Sequence, residues 1–219
     1  MGGNWAGEAA DLLVAAVRGG GHIALSGGST PRPVHERAAE IEPDWSRCEL
    51  WWGDERCVPH EDLRSNYRLA RESILDLVAQ PPGVHPVRTE HGPEEAALAY
   101  DQELDGVKLD LALLGVGPDG HTASLFPHAS TLAERQRRAI AAEAGLEPFV
   151  PRVTMTVPYL SAAKVVLFLV VGAEKADAVA RAFDQLPGPA TPAGLIRSRE
   201  GRTVAVLDEA AAARLQAAG

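Results

Sequence analysis

Leu109-Asp110-Leu111-Ala112-Leu113-Leu114-Gly115-Val116-Gly117-Pro118-Asp119-Gly120-His121 passes without a break from an apolar run into a glycine-rich turn. The run suits a buried strand, and the turn falls where open α/β sheets collect their ligands, at a strand's carboxyl end. Working outward, similar short runs are His22 to Leu25, Glu49 to Trp52, Val84 to Val87, Ala139 to Ala142, Arg152 to Val157, Val165 to Val171 and Val204 to Leu207. Between them lie helical stripes: Tyr67, Ala70, Ile74, Leu77 and Val78; then Ala97, Tyr100 and Leu104; then Ala176, Val179, Ala180 and Phe183. Apolar runs alternating with 3.6-residue periodicity predict an α/β class, a mostly parallel sheet with helices on both faces. One strand differs: Val153, Met155 and Val157 alternate with Arg152, Thr154 and Thr156, which gives it a polar face and suits an antiparallel or edge position.

Composition narrows the function. The chain has 219 residues, 46% hydrophobic and 23% charged, which fits a folded protein and one domain over residues 1–219. No internal repeat or long linker interrupts it. A net charge of −9 argues against a nucleic-acid or anionic-membrane binder, so an anionic ligand needs a local positive site. The longest apolar run, Val165 to Val171, falls short of the about 18 residues of a membrane span. Met1 to Val17 carries Glu8 and Asp11 and lacks a basic start, so it does not read as a secretory signal, and a cytoplasmic location is expected. Cys48 and Cys57, the only cysteines, make neither a disulfide framework nor a metal site; they read as a buried thiol and a loop thiol.

Four places can carry chemistry. Ser26-Gly27-Gly28-Ser29-Thr30-Pro31 follows the first strand; its glycines admit a close ligand, Ser29 or Thr30 can cap a helix, and Pro31 suits the first helical position. Free N–H groups there would face an anion such as phosphate. Gly53-Asp54-Glu55-Arg56-Cys57-Val58-Pro59, continuing to Ser65-Asn66-Tyr67, sets two acids and a cation after a strand, or else forms a solvated turn with a local ion pair. The Gly115 to Pro127 loop matches G-x-G-x-x-G at Gly115, Gly117 and Gly120, yet Pro118 and Pro127 fit a dinucleotide turn poorly. Its glycines instead present Asp119 and His121, and an imidazole beside a carboxylate suits a general base. Arg152 and Lys175 add two cations that can complete a phosphate site.

Together these segments resemble the 6-phosphogluconolactonase family, related to the glucosamine-6-phosphate deaminases. The resemblance rests on Ala24 to Pro31, Trp52 to Pro59 with Ser65 to Tyr67, Leu113 to Pro127, Arg152 to Thr156 and Gly172 to Ala176. It implies a Rossmann-like sheet and hydrolysis of 6-phospho-D-glucono-1,5-lactone without metal or cofactor. In it, His121 corresponds to the base and Asp119 orients it. Gly27, Gly28, Ser29 and Thr30, with Arg152 and Lys175, would hold the phosphate, and Asp54, Arg56 and Asn66 would line the sugar end. The implied partner is a small sugar-phosphate lactone, and a monomer is expected.

Other readings stay open. Deaminase relatives carry a Glu directly before the Pro of this loop, where this chain has Phe126 before Pro127. A regulator that binds sugar phosphate without turnover is a third possibility. Family members usually begin with a further strand, so an edge strand is expected to be missing.

Overall fold

The computed structural model describes residues 4–216; Met1 to Gly3, part of the leader reading, lie outside the described residues. In chain order the elements are α1 (Trp5–Gly19), β1 (Gly21–Leu25), α2 (Arg32–Ile41), β2 (Cys48–Trp52), β3 (Asp54–Arg56), α3 (Asn66–Ala70), β4 (Gly83–Val84) and α4 (Pro93–Glu103). They continue with β5 (Leu109–Leu114), β6 (Ala139–Ala142), β7 (Arg152–Met155), α5 (Val157–Leu160), β8 (Val165–Val170), α6 (Ala176–Phe183), α7 (Pro192–Leu195), β9 (Arg202–Leu207) and α8 (Glu209–Ala212).

Six strands form a parallel sheet in the order β4-β2-β1-β5-β8-β9. β5 and β8 are buried along nearly their whole length, as parallel strands covered on both faces must be. α1 begins where the Asn4 side chain accepts from the Gly7 N–H, and it buries Ala9, Ala10, Leu13, Val14 and Val17. This face packs against α2 and against β1, β5 and β9. Among the described residues no strand precedes β1, and none of the helices is long and apolar enough to cross a membrane.

A second sheet, β3-β7-β6, is antiparallel. The alternating segment is thus antiparallel as expected, but it is the central strand, not an edge. Its polar face, Arg152, Thr154 and Thr156, is buried. The strand stops at Met155 because Pro158 suits the first turn of α5.

Three further expectations are corrected. Asp54–Arg56 is a strand, not a solvated turn, and both its acids are buried. Val84 to Val87 shrinks to Gly83–Val84, because after His85 N–H reaches the Leu50 carbonyl, Pro86 has no N–H to continue the ladder. The stripe from Tyr67 to Val78 is broken, since α3 passes into a π-helical turn over Arg71–Leu75. The wider turn rotates later residues off the face: Ala70 and Ile74 are buried while Leu77 is 53% exposed.

Candidate active site

In the parallel sheet the chain winds from β1 towards β2 on one side and from β5 towards β8 on the other. The crevice between β1 and β5 is therefore a topological switch point, where loops diverge and leave room for a ligand. A cleft of about 520 Å³ lies there. Its walls are Ser26–Pro31 after β1, Gly115–Gly117 and His121–Ala123 after β5, and Leu169–Gly172, Glu174 and Lys175 at and beyond the end of β8. The second sheet adds Asp54, Arg56 and Arg152.

The turn after β5 is built by its glycines. Gly117 N–H donates to the His121 carbonyl at 2.8 Å, and Gly120 turns with φ 95°. A Cβ on Gly117 would stand 2.0 Å from His121 Nδ1, so only glycine lets the imidazole fold back there. His121 Nδ1 lies 2.6 Å from Asp119 Oδ1, which also accepts the His121 main-chain N–H at 3.1 Å. With Nδ1–H donated to Asp119, Nε2 keeps its lone pair for a proton. Phe126 lies against the imidazole at 4.8 Å between ring centroids, and the Arg152 guanidinium sits 5.6 Å above the Phe126 ring. No helix follows this turn; the next helical piece is the short 3₁₀ turn Ser130–Ala133. That removes the helix N-terminus on which a dinucleotide pyrophosphate would rest.

The loop after β1 leads into α2. Neither Ser29 nor Thr30 caps it: Pro31 takes the cap position without a side-chain bond, and a second proline, Pro33, follows inside the first turn. Gly27 answers a different need, because a Cβ there would stand 1.8 Å from Asn66 Oδ1.

Asn66 is also relocated. It does not line the main cleft; it is buried beside it, where Nδ2 donates to the Asp54 carbonyl at 2.8 Å. Glu55, absent from the sequence-based site, explains why that segment folds so. Its buried carboxylate accepts the N–H groups of Arg56, Asn66 and Tyr67 and the Ser65 hydroxyl, tying β3 to the start of α3. Burial pushes its pKa up, while the three N–H groups pull it down.

The cations differ in freedom. Arg152 is only 3% exposed; burial lowers its pKa, which nearby Asp54 raises and Arg56 lowers further. Its Nη2 donates to the carbonyls of Leu146 and Pro148, each at 3.1 Å, while its buried Nε has no protein partner. Arg56 stands opposite Arg152 in the β3–β7 register and gives Nη1 to the Arg64 carbonyl. Lys175 ends a 3₁₀ turn at the start of α6. Three cations, Arg56, Arg152 and Lys175, thus line the cleft together with two carboxylates, Asp54 and Glu174, in a chain of net charge −9. Among the described residues no group of three or more His, Cys, Asp or Glu side chains can hold a metal ion.

A family model described as glucosamine-6-phosphate isomerases/6-phosphogluconolactonase matches residues 4–205. A 6-phosphogluconolactonase of Synechocystis sp. is 39% identical over 213 residues, 92% of this chain and 87% of that protein. One from Streptomyces coelicolor is 37% identical, covering 95% of this chain and 83% of its own length. Among solved structures, 6-phosphogluconolactonase from Trypanosoma brucei superposes with a TM-score of 0.86 at 26% identity, over 97% of this chain and 95% of that one.

Proposed function

The chain belongs to the glucosamine-6-phosphate isomerase/6-phosphogluconolactonase family, and from that membership we propose that it hydrolyses 6-phospho-D-glucono-1,5-lactone to 6-phosphogluconate. The observation that carries the reading is the 2.6 Å contact of His121 with Asp119 in a switch-point cleft whose lining includes Arg56, Arg152 and Lys175. His121 Nε2 takes a proton from a water whose oxygen attacks the lactone carbonyl carbon. Asp119 holds the imidazole in the required tautomer and stabilises the imidazolium. When the tetrahedral intermediate collapses, the bond from the carbonyl carbon to the ring oxygen breaks, and that oxygen takes the proton back from His121. Water is the only co-reactant, so the chemistry asks for no metal or organic cofactor.

The Gly27 to Thr30 loop, Lys175 and Arg152 serve the phosphate, with Arg56 beside them. Of these, Arg152 has one arm already committed to the Leu146 and Pro148 carbonyls. Phe126, packed on His121, favours a lactonase over a deaminase, since it stands where those relatives keep an acid. One apolar cluster runs from Ala9 to Ala211 beneath the site, which suits one domain, and the protein is taken to act as a monomer. The reaction is that of the second step of the oxidative pentose phosphate pathway.

The test follows lactone generated in situ, with the spontaneous rate subtracted. Wild-type protein accelerates its loss, and His121→Ala lowers the catalysed rate by about 10² to 10⁴ while product binding stays largely intact. A wild-type rate no faster than water sinks the lactonase reading; an unimpaired His121→Ala sinks the base.

A further inference from the structure

Asp54 shares the cleft wall with Arg56 and Arg152, and protein donors grip it from two sides. The Ser124 hydroxyl donates to Asp54 Oδ2 at 2.6 Å, and Asn66 Nδ2 reaches Oδ1 at 3.3 Å. Ser124 is itself fixed: it is fully buried, its N–H donates to Thr154 Oγ1 at 3.2 Å, and the Thr154 hydroxyl donates to the Met155 carbonyl. Thr154 is the register partner of Asp54, so the bonds close a ring across β3, β7 and the turn that carries His121. Between His121 and Ser124 the chain reverses at Ala123, with φ 48°. The Ser124 bond therefore ties the turn that carries His121 to this carboxylate.

A carboxylate has about four lone-pair directions, of which two are used here, leaving acceptor capacity in the cleft wall. A sugar ring offers hydroxyl donors to such a group, whereas a phosphate dianion offers none and is repelled. Resting on the lactonase reading above, we propose that Ser124 is a positioning residue, holding the Asp54 carboxylate to receive the ring hydroxyls of the substrate. It touches no substrate atom and acts through Asp54 alone.

The experiment compares wild-type protein, Ser124→Ala, Asp54→Asn and the double variant. KM and kcat are measured on the phosphorylated lactone and on unphosphorylated gluconolactone, and 6-phosphogluconate binding is measured by calorimetry. Ser124→Ala raises KM and weakens product binding about 10-fold, the worth of a hydrogen bond to a charged group. It does so on both lactones alike, with the pH profile of kcat unchanged. In the Asp54→Asn background the same change has no further effect, because the two residues act as one unit. Ser124→Cys, similar in size but a weaker donor, gives a smaller loss and replaces the alanine variant should that fail to fold.

A fall in Tm with KM and binding unchanged, or an equal loss with and without the Asp54 carboxylate, overturns the proposal. Wild-type protein that binds 6-phosphogluconate without hydrolysing the lactone removes the lactonase reading, and the Ser124→Ala binding loss then supports or overturns the positioning role by itself. Wild-type protein that does neither overturns both.

Discussion

His35 shows what one buried side chain does to the working range of the fold. It lies wholly inside, with Nδ1 3.0 Å from Ser73 Oγ, whose own proton goes to the Leu69 carbonyl. Burial, with Arg32 nearby, lowers its pKa from 6.5 to about 3. Between those values the unfolded chain accepts a proton that the folded chain refuses. Stability is therefore complete above pH 6.5 and falls as the pH drops through this window. At pH 5 the loss is about 2 kcal/mol from this residue alone. Urea midpoints at pH 7.5 and pH 5 should differ less for His35→Gln than for wild-type protein; an identical difference would show that other groups govern the acid limb.

At the scale of elements, the turn after β5 is the sharpest case. Gly117→Ala forces a Cβ within 2.0 Å of His121 Nδ1 and 2.7 Å of Asp119 Oδ1, so the dyad has to move. Since a displacement of about 1 Å can cost about 10²-fold in rate, kcat should fall by that order with Tm little changed. Unchanged kcat would mean that the dyad geometry is not needed. Elements were legible in the sequence where apolar residues set a period: β1, β2, β5, β6 and β8 fall within a residue of the expected runs, as does α6. β3 was hidden because Asp54, Glu55 and Arg56 carry no apolar pattern, the burial of the two acids being offset by hydrogen bonds rather than driven by hydrophobicity. The π-helical turn after α3 was equally silent, since only a backbone hydrogen-bond shift distinguishes it. Of the candidate site, the residues in strand-end loops that the fold brings to the cleft were readable by position: Gly27 to Thr30, His121 with its neighbour Asp119, and Lys175. Ser124 was not, because its partner Asp54 lies 70 positions away and a serine in a turn has no local mark of that bond.

At the scale of the whole molecule, the net charge of −9 opposes entry of the proposed phosphorylated substrate, and Arg56, Arg152 and Lys175 in the cleft have to overcome it. Lys175→Ala should cost about 10-fold in kcat/KM on the phosphorylated lactone and far less on gluconolactone. The gap should narrow as salt is raised, because screening weakens exposed charges. Equal losses on both substrates at every ionic strength would refute a phosphate role for Lys175. The strand order has a further consequence during synthesis. β5 finds its partner β8 only after β6 and β7 have been made, and β3 has no partner until Arg152 to Thr154 exist. A growing chain that has reached only Leu114 therefore carries an apolar strand with one open edge, able to pair with the same strand of another copy. Until β8 emerges from the ribosome, that edge has no partner within its own chain.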